Sequence, residues 1–208
     1  MKKIMAFTAV LFAALYTFAQ SLSIESVCAD LSRNRITKGN FVQEKTLSKT
    51  GKTLRSNGKF IFSTEGIVWS TEKPFPSTLV LGEDYMVQIG ADGSRKVTDA
   101  KGNDAFKSVS STLLALFSND VSKLGQNFKL VFDAGADNTW TVSLEPKDKT
   151  VASVMSSIVL NGKSSSVSSE ISEIILNEAK GGAVLYRFMN QSHPKELTTD
   201  EKACFNNR

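Results

Sequence analysis

The 208-residue sequence contains one histidine, His193, and two cysteines, Cys28 and Cys204. A single histidine assembles neither a His-based catalytic triad nor a His-rich metal site, and one cysteine pair without CxxC spacing is a poor zinc site with no redox motif. No Gly-x-Ser-x-Gly elbow is present, so the serine tract Ser164 to Ser169 reads as a solvated turn beside Asn161-Gly162 and not as a nucleophile. Acidic residues are scattered, and their spacing neither excludes nor favours a carboxylate pair. Lysines and arginines nowhere cluster with aromatics as a nucleic-acid surface would require. The expectation is therefore a non-enzyme with no catalytic residue, no metal and no cofactor. The chain also lacks an uninterrupted apolar run of the roughly 20 residues that cross a bilayer as a helix.

What is present begins with Lys2 and Lys3 ahead of the apolar and small-residue run Ile4 to Phe18, closed by Thr17-Phe18-Ala19. This is the pattern of a cleavable secretory signal over residues 1–19, so the mature chain is expected to be exported. Cys28 lies too far past that site to be the lipid-modified cysteine of a lipoprotein signal. Loss of Lys2 and Lys3 lowers the formal charge from +4 to +2, so the basic balance belongs partly to the signal. Residues 20–208 then form one β-rich, monomeric domain. In an exported chain Cys28 and Cys204 can pair, and a disulfide closing nearly the whole chain is worth about 5 kcal/mol in the chain-entropy model. The alternative is two buried, unpaired thiols.

The stretch Phe41 to Ile89 sets the architecture. Its apolar residues come in short bursts separated by Gly, Asn, Pro and acidic pairs, the rhythm of successive antiparallel strands. Phe60 and Phe62 share one strand face, Asn57-Gly58 and Gly82-Glu83-Asp84 read as turns, and Trp69 closes a strand ahead of Pro74 and Pro76. Farther on, Trp140, Val142 and Leu144 alternate with polar residues, the strand Val154 to Leu160 meets a hairpin signal at Asn161-Gly162, Val167 to Asn177 returns, and Val184 to Phe188 is the last strand. Two segments have helical period instead. Ser23 to Arg35 places Ile24, Val27, Cys28 and Leu31 on one face, with Ser23 as N-cap. Phe106 to Leu124 carries Leu113, Leu114, Leu116 and Phe117, then Val121 and Leu124 after Ser118-Asn119-Asp120, and is too apolar for a surface helix. That greasy stripe either packs permanently on the sheet or forms a displaceable lid.

Phe41-x-Gln43, the Gly-led aromatic strand of Gly58, Phe60 and Phe62, then Trp69, Pro74 and Leu79-Val80-Leu81-Gly82 resemble, in order and spacing, the N-terminal half of the LolA-type periplasmic lipoprotein carriers. Leu144-Glu145-Pro146-Lys147 is also similar to a strand end of that family. The resemblance implies an incomplete antiparallel barrel of about eleven strands, a mainly β (α+β) fold, with helices over its concave mouth. Composition alone does not separate a cavity from a dry core; the resemblance decides for a cavity, lined by Phe60, Phe62, Trp69, Leu79, Leu81 and Trp140. It makes Leu113, Leu114, Leu116, Phe117, Val121 and Leu124 the lid. It further implies an acylated lipoprotein as ligand, an inner-membrane ABC release complex and an outer-membrane acceptor as partners. The other readings are a carrier or sensor for a different lipid or acylated metabolite, and a non-catalytic structural or interaction protein. One departure stands out: where many members place a lid-bonding arginine ahead of the strand tryptophan, this chain has Ser63.

Overall fold

The computed structural model describes residues 22–99 and 104–206; the expected signal peptide and loop residues 102–103 lie outside them. A first helix, α1 (Ile24–Arg33), leads into a meander of six strands: β1 (Ile36–Leu47), β2 (Thr53–Ser63), β3 (Gly66–Lys73), β4 (Ser77–Leu81), β5 (Tyr85–Gly90) and β6 (Arg95–Asp99). Two helices, α2 (Asp104–Phe117) and α3 (Val121–Asn127), connect it to a second meander. That one comprises β7 (Phe128–Ala134), β8 (Thr139–Pro146), the short α4 (Lys149–Ala152), β9 (Met155–Ser164), β10 (Ser169–Glu178) and β11 (Gly182–Ser192), and α5 (Thr199–Asn206) follows. All eleven strands belong to one antiparallel sheet in the order β6-β5-β4-β3-β2-β1-β11-β10-β9-β8-β7. The two meanders join at the middle, where β1 pairs with β11 from Lys38 opposite Ser192 to Leu47 opposite Gly182. Strands β6 and β7 are the outer members, so the sheet is open, in agreement with the incomplete barrel.

Period-two alternation gives the sheet two unlike faces. Phe60, Phe62, Ile67, Leu81, Trp140, Val142, Leu144 and Phe188 join the large core, which also takes residues from α1, α2, α3 and α4; this is the inner face. The residues between them in β2 to β5, Ile61, Val68, Val80 and Val87, form a smaller cluster with Leu197 and Phe205 on the outer face. Helix α5 covers that outer cluster. It begins with a reciprocal cap, Thr198 N–H donating to Glu201 at 2.8 Å and Glu201 N–H to Thr198 Oγ1 at 3.3 Å, and Lys38 of β1 holds Glu201 at 2.8 Å. Burial tends to raise the Glu201 pKa, but the hydrogen bonds from Lys38 and from the Thr198 N–H outweigh it and hold the carboxyl below its usual range.

Two turn assignments are corrected. Asn57-Gly58 lies inside β2 and Asn161-Gly162 inside β9; neither is a turn. Both glycines are there because backbone or ring comes too close for a side chain: a Cβ at 58 would fall 1.9 Å from Ser70 O, and one at 162 would fall 2.1 Å from Trp140 Cζ2. The true β9–β10 turn spans Ser165 to Ser168, and the serine tract is only partly solvated, since Ser164 and Ser169 are buried with their hydroxyls 2.6 Å apart and Ser169 donates to Asp30 of α1 at 3.2 Å. Trp69 does not end its strand, because β3 continues to Lys73.

The Cys28–Cys204 disulfide is likewise corrected: both thiols are free. Cys28 sits on α1 in the inner core, whereas Cys204 on α5 packs against the outer cluster, and the sheet lies between. Burial pushes the Cys28 thiol up to about 12 and also raises that of Cys204, which is only half-buried. A disulfide reagent at neutral pH should therefore titrate one thiol in the native protein, Cys204, and two after denaturation without reductant. Zero thiols on denaturation would restore the bond.

Candidate functional site

The inner face is built around an aromatic group at the centre of the sheet. Phe60 and Phe62 on β2 have ring centroids 4.7 Å apart, and Phe188 on β11 lies 4.7 Å from Phe60 and 5.2 Å from Phe62. Trp69 on β3 meets Phe62 edge-on at 5.9 Å and Tyr186 on β11 at 5.7 Å, and Phe41 on β1 meets Tyr186 at 5.8 Å. Register explains the convergence: Phe60 faces Trp69, and Phe41 faces Phe188, so every ring projects to the same side. Such pairs add about 0.5–1.5 kcal/mol each beyond their area.

All six cavity residues expected from the sequence lie on this face. Phe60, Phe62, Leu81 and Trp140 are buried members of the core, Trp69 packs against it, and Leu79 stands opposite Trp69 in the β3–β4 ladder, half-buried. Three contributors were missed. Phe41, Tyr186 and Phe188 complete the aromatic group, and their signal was present in the alternation of Tyr186 and Phe188 about the outward Arg187, which bonds Glu44 and Glu173 on the other side. Trp140 belongs to a second, aliphatic half with Leu160, Ile171 and Ile174.

The residues expected to form a lid come together over this surface. Leu113, Leu116 and Phe117 of α2 and Leu124 of α3 are buried in the same core, and Leu114 and Val121 pack against it. Phe117 lies 4.8 Å ring to ring from Phe62, so α2 seats directly on the aromatic group. The helical region divides at the expected cap Ser118-Asn119-Asp120: Asn119 has a positive φ of 55°, and Asp120 caps α3, which carries Val121 and Leu124, by accepting from Lys123 N–H. Beside α2 a cavity of about 300 Å³ opens among Ser63, Glu83, Tyr85, Leu114, Ser118 and Lys123. Ser63 makes no bond to α2; its hydroxyl donates to Gly66 O and accepts from Glu65 N–H, closing its own turn. Apolar packing is thus the principal contact between α2 and the sheet at Phe62.

Electrostatically the site is neutral. Its titratable members are Cys28 and Tyr186, and burial pushes both up to about 12, so neither ionises near neutrality. A surface of this kind offers rings, methyls and no charge, which suits long alkyl groups and disfavours ionic ones. Among the described residues no group of three or more His, Cys, Asp or Glu is placed to hold a metal ion, and no helix is long and apolar enough to cross a membrane.

Residues 33–202 match the family model described as outer membrane lipoprotein carrier protein LolA. Among curated proteins no match is found. Similar solved structures include a LolA superfamily protein from Nitrosomonas europaea, 8% identical with a TM-score of 0.44 over 86% of this chain and 97% of that one. Another is a DUF1329 family protein from Desulfovibrio piger, 10% identical with a TM-score of 0.44 over 88% and 95%.

Proposed function

Because the chain belongs to the LolA family of outer membrane lipoprotein carrier proteins, we propose that it binds the acyl chains of lipoproteins on the inner face of its sheet and carries them through the periplasm towards the outer membrane. The observation that supports this most is the seating of α2 on the aromatic group through Phe117 and Phe62. An alkyl chain needs the surface those helices now cover, so loading requires α2 and α3 to move aside. Each buried methylene contributes about 0.8 kcal/mol, so one acyl chain gains on the order of 10 kcal/mol. Uncovering Leu113, Leu116, Phe117 and Leu124 costs about 1.5–3 kcal/mol for each side chain that loses its cover. The two sums are comparable. The exchange of helix for ligand is close to balanced, as it must be in a protein that releases what it binds.

In this reading the protein is a carrier and not a catalyst, exported by the signal at residues 1–19. An inner-membrane ABC complex supplies the cargo and an outer-membrane acceptor receives it, each transfer passing between apolar sites. Ser63 favours a second reading, a carrier for another acylated lipid or metabolite, because the hydroxyl that stands where many members have a lid-bonding arginine is engaged within its own turn. Titration of the folded protein with a fluorescent fatty-acyl probe tests both readings. Saturable binding is expected, with competition by acylated lipoprotein for the first reading and by free acyl lipid alone for the second. A folded protein that leaves the probe in water would point to a structural role.

A further inference from the structure

Two buried side-chain polar atoms have no hydrogen-bond partner among the described residues, the indole nitrogens of Trp69 and Trp140. They belong to the only two tryptophans of the sequence, and both lie on the inner face. Unpaired buried donors are uncommon in folded proteins, because the N–H loses its water and gains nothing in return. Contact with neighbouring ring faces recovers only part of that loss. The two indoles differ in their surroundings. Trp140 is 1% exposed, with its ring laid on Gly162 of β9. Trp69 is half-buried as a residue, yet its N–H is wholly hidden, turned inward beside Phe62 and Tyr186. Phe62 is also the ring that Phe117 of α2 covers, so movement of α2 exposes the surroundings of Trp69 first.

We infer that the Trp69 indole N–H is a ligand-binding donor that donates to the carbonyl oxygen of an ester or amide at the head of a long alkyl chain. The inference rests on the reading of the inner face as an acyl site and adds to it a specificity: the rings hold the alkyl chain by area alone, while one donor set within them distinguishes an acyl group from a plain hydrocarbon. A carbonyl is the matching partner because it is acceptor-only and uncharged, so it enters a neutral apolar site at far lower cost than a carboxylate would. Among the described residues the donor has no partner, and loading supplies one. Trp140, clamped on Gly162, stays as it is.

The test uses full-length mature protein labelled with ¹⁵N at the indole positions, which gives two resonances, assigned with Trp69→Phe. Methyl myristate, N-methylmyristamide and tetradecane are titrated separately. The expected result is a downfield movement of the Trp69 indole proton with the ester and the amide and not with the alkane, together with about fivefold tighter binding of the ester, the equivalent of one net hydrogen bond. Trp69→Phe should abolish that preference; if that variant does not fold, the wild-type titration decides alone. Equal response of Trp69 to ester and alkane, or perturbation of inner-face methyl signals without Trp69, overturns the donor role and leaves acyl binding intact. No perturbation of any inner-face signal by any of the three overturns the acyl site and the donor role together.

Discussion

Phe62→Glu should leave the protein unfolded or close to it at neutral pH. Phe62 is 2% exposed and touches Phe60, Trp69, Phe117 and Phe188, so with α2 seated there is no water to solvate a carboxylate. A charge in such a place costs more than about 4 kcal/mol, against a total of about 5–15 kcal/mol for a domain. The protein can evade part of this by keeping the carboxyl protonated, which raises its folded pKa above the unfolded value of about 4.3. The native state then holds more protons than the unfolded chain, so stability falls as pH rises from the unfolded pKa through the folded one and is restored below both. Thermal unfolding of the variant at two pH values should show a smaller deficit near pH 4 than near pH 7, after correction for wild type. Phe62→Leu, which keeps the site apolar, should cost about 1–2 kcal/mol with little pH dependence. A Phe62→Glu protein as stable as wild type at neutral pH would mean that Phe62 faces a wet cavity even with the lid in place.

How far the sequence anticipates this arrangement depends on whether a residue's signal is local. The face assignment of β2 and β8 was legible because Phe60 and Phe62, or Trp140, Val142 and Leu144, repeat at a period of two within one strand, and the structure places each set in the inner core. The α1 face was legible for the same reason at helical spacing. The glycines misled because Asn-Gly carries a local hairpin signal, while the actual demand on Gly58 and Gly162 comes from Ser70 and Trp140 on neighbouring strands. No reading of five consecutive residues reveals that Trp140 lies on Gly162. The disulfide failed on topology: two cysteines near the chain ends come near the same sheet but on opposite faces, and only the strand order settles that. Helix α5 was missed although Thr198-x-x-Glu201 is a capping-box pattern, because its apolar residues are few. Of the site itself, the β2, β3 and β4 side was visible in one contiguous stretch. That Tyr186 and Phe188 share one strand face was legible in their alternation, but their meeting with the β2 and β3 rings was not, since it depends on β11 returning to pair with β1 from the far end of the chain.

Phe117→Ala should destabilise the protein and tighten its grip on acyl chains, two effects that a permanently packed helix would not produce together. Phe117 is 6% exposed and contributes the ring by which α2 meets Phe62. Truncation of such a side chain costs about 3–5 kcal/mol, part of it from the cavity left behind. In the carrier reading that contact exists only while the lid is down, so its loss also lowers the free energy needed to lift α2. The ligand then spends less of its binding energy on opening. If about 1.4 kcal/mol of the loss falls on that step, affinity for a fatty-acyl probe rises roughly tenfold. Amide exchange in α2 should accelerate relative to Trp140 to Leu144 on β8, whose buried side chains are remote from the truncated ring in sequence and sheet order. A lower Tm with unchanged probe affinity would make α2 a fixed wall of the core. Weaker binding would instead place Phe117 among the groups that hold the ligand, so that the helix stays against the loaded chain and the displaced cover is α3 with Leu124.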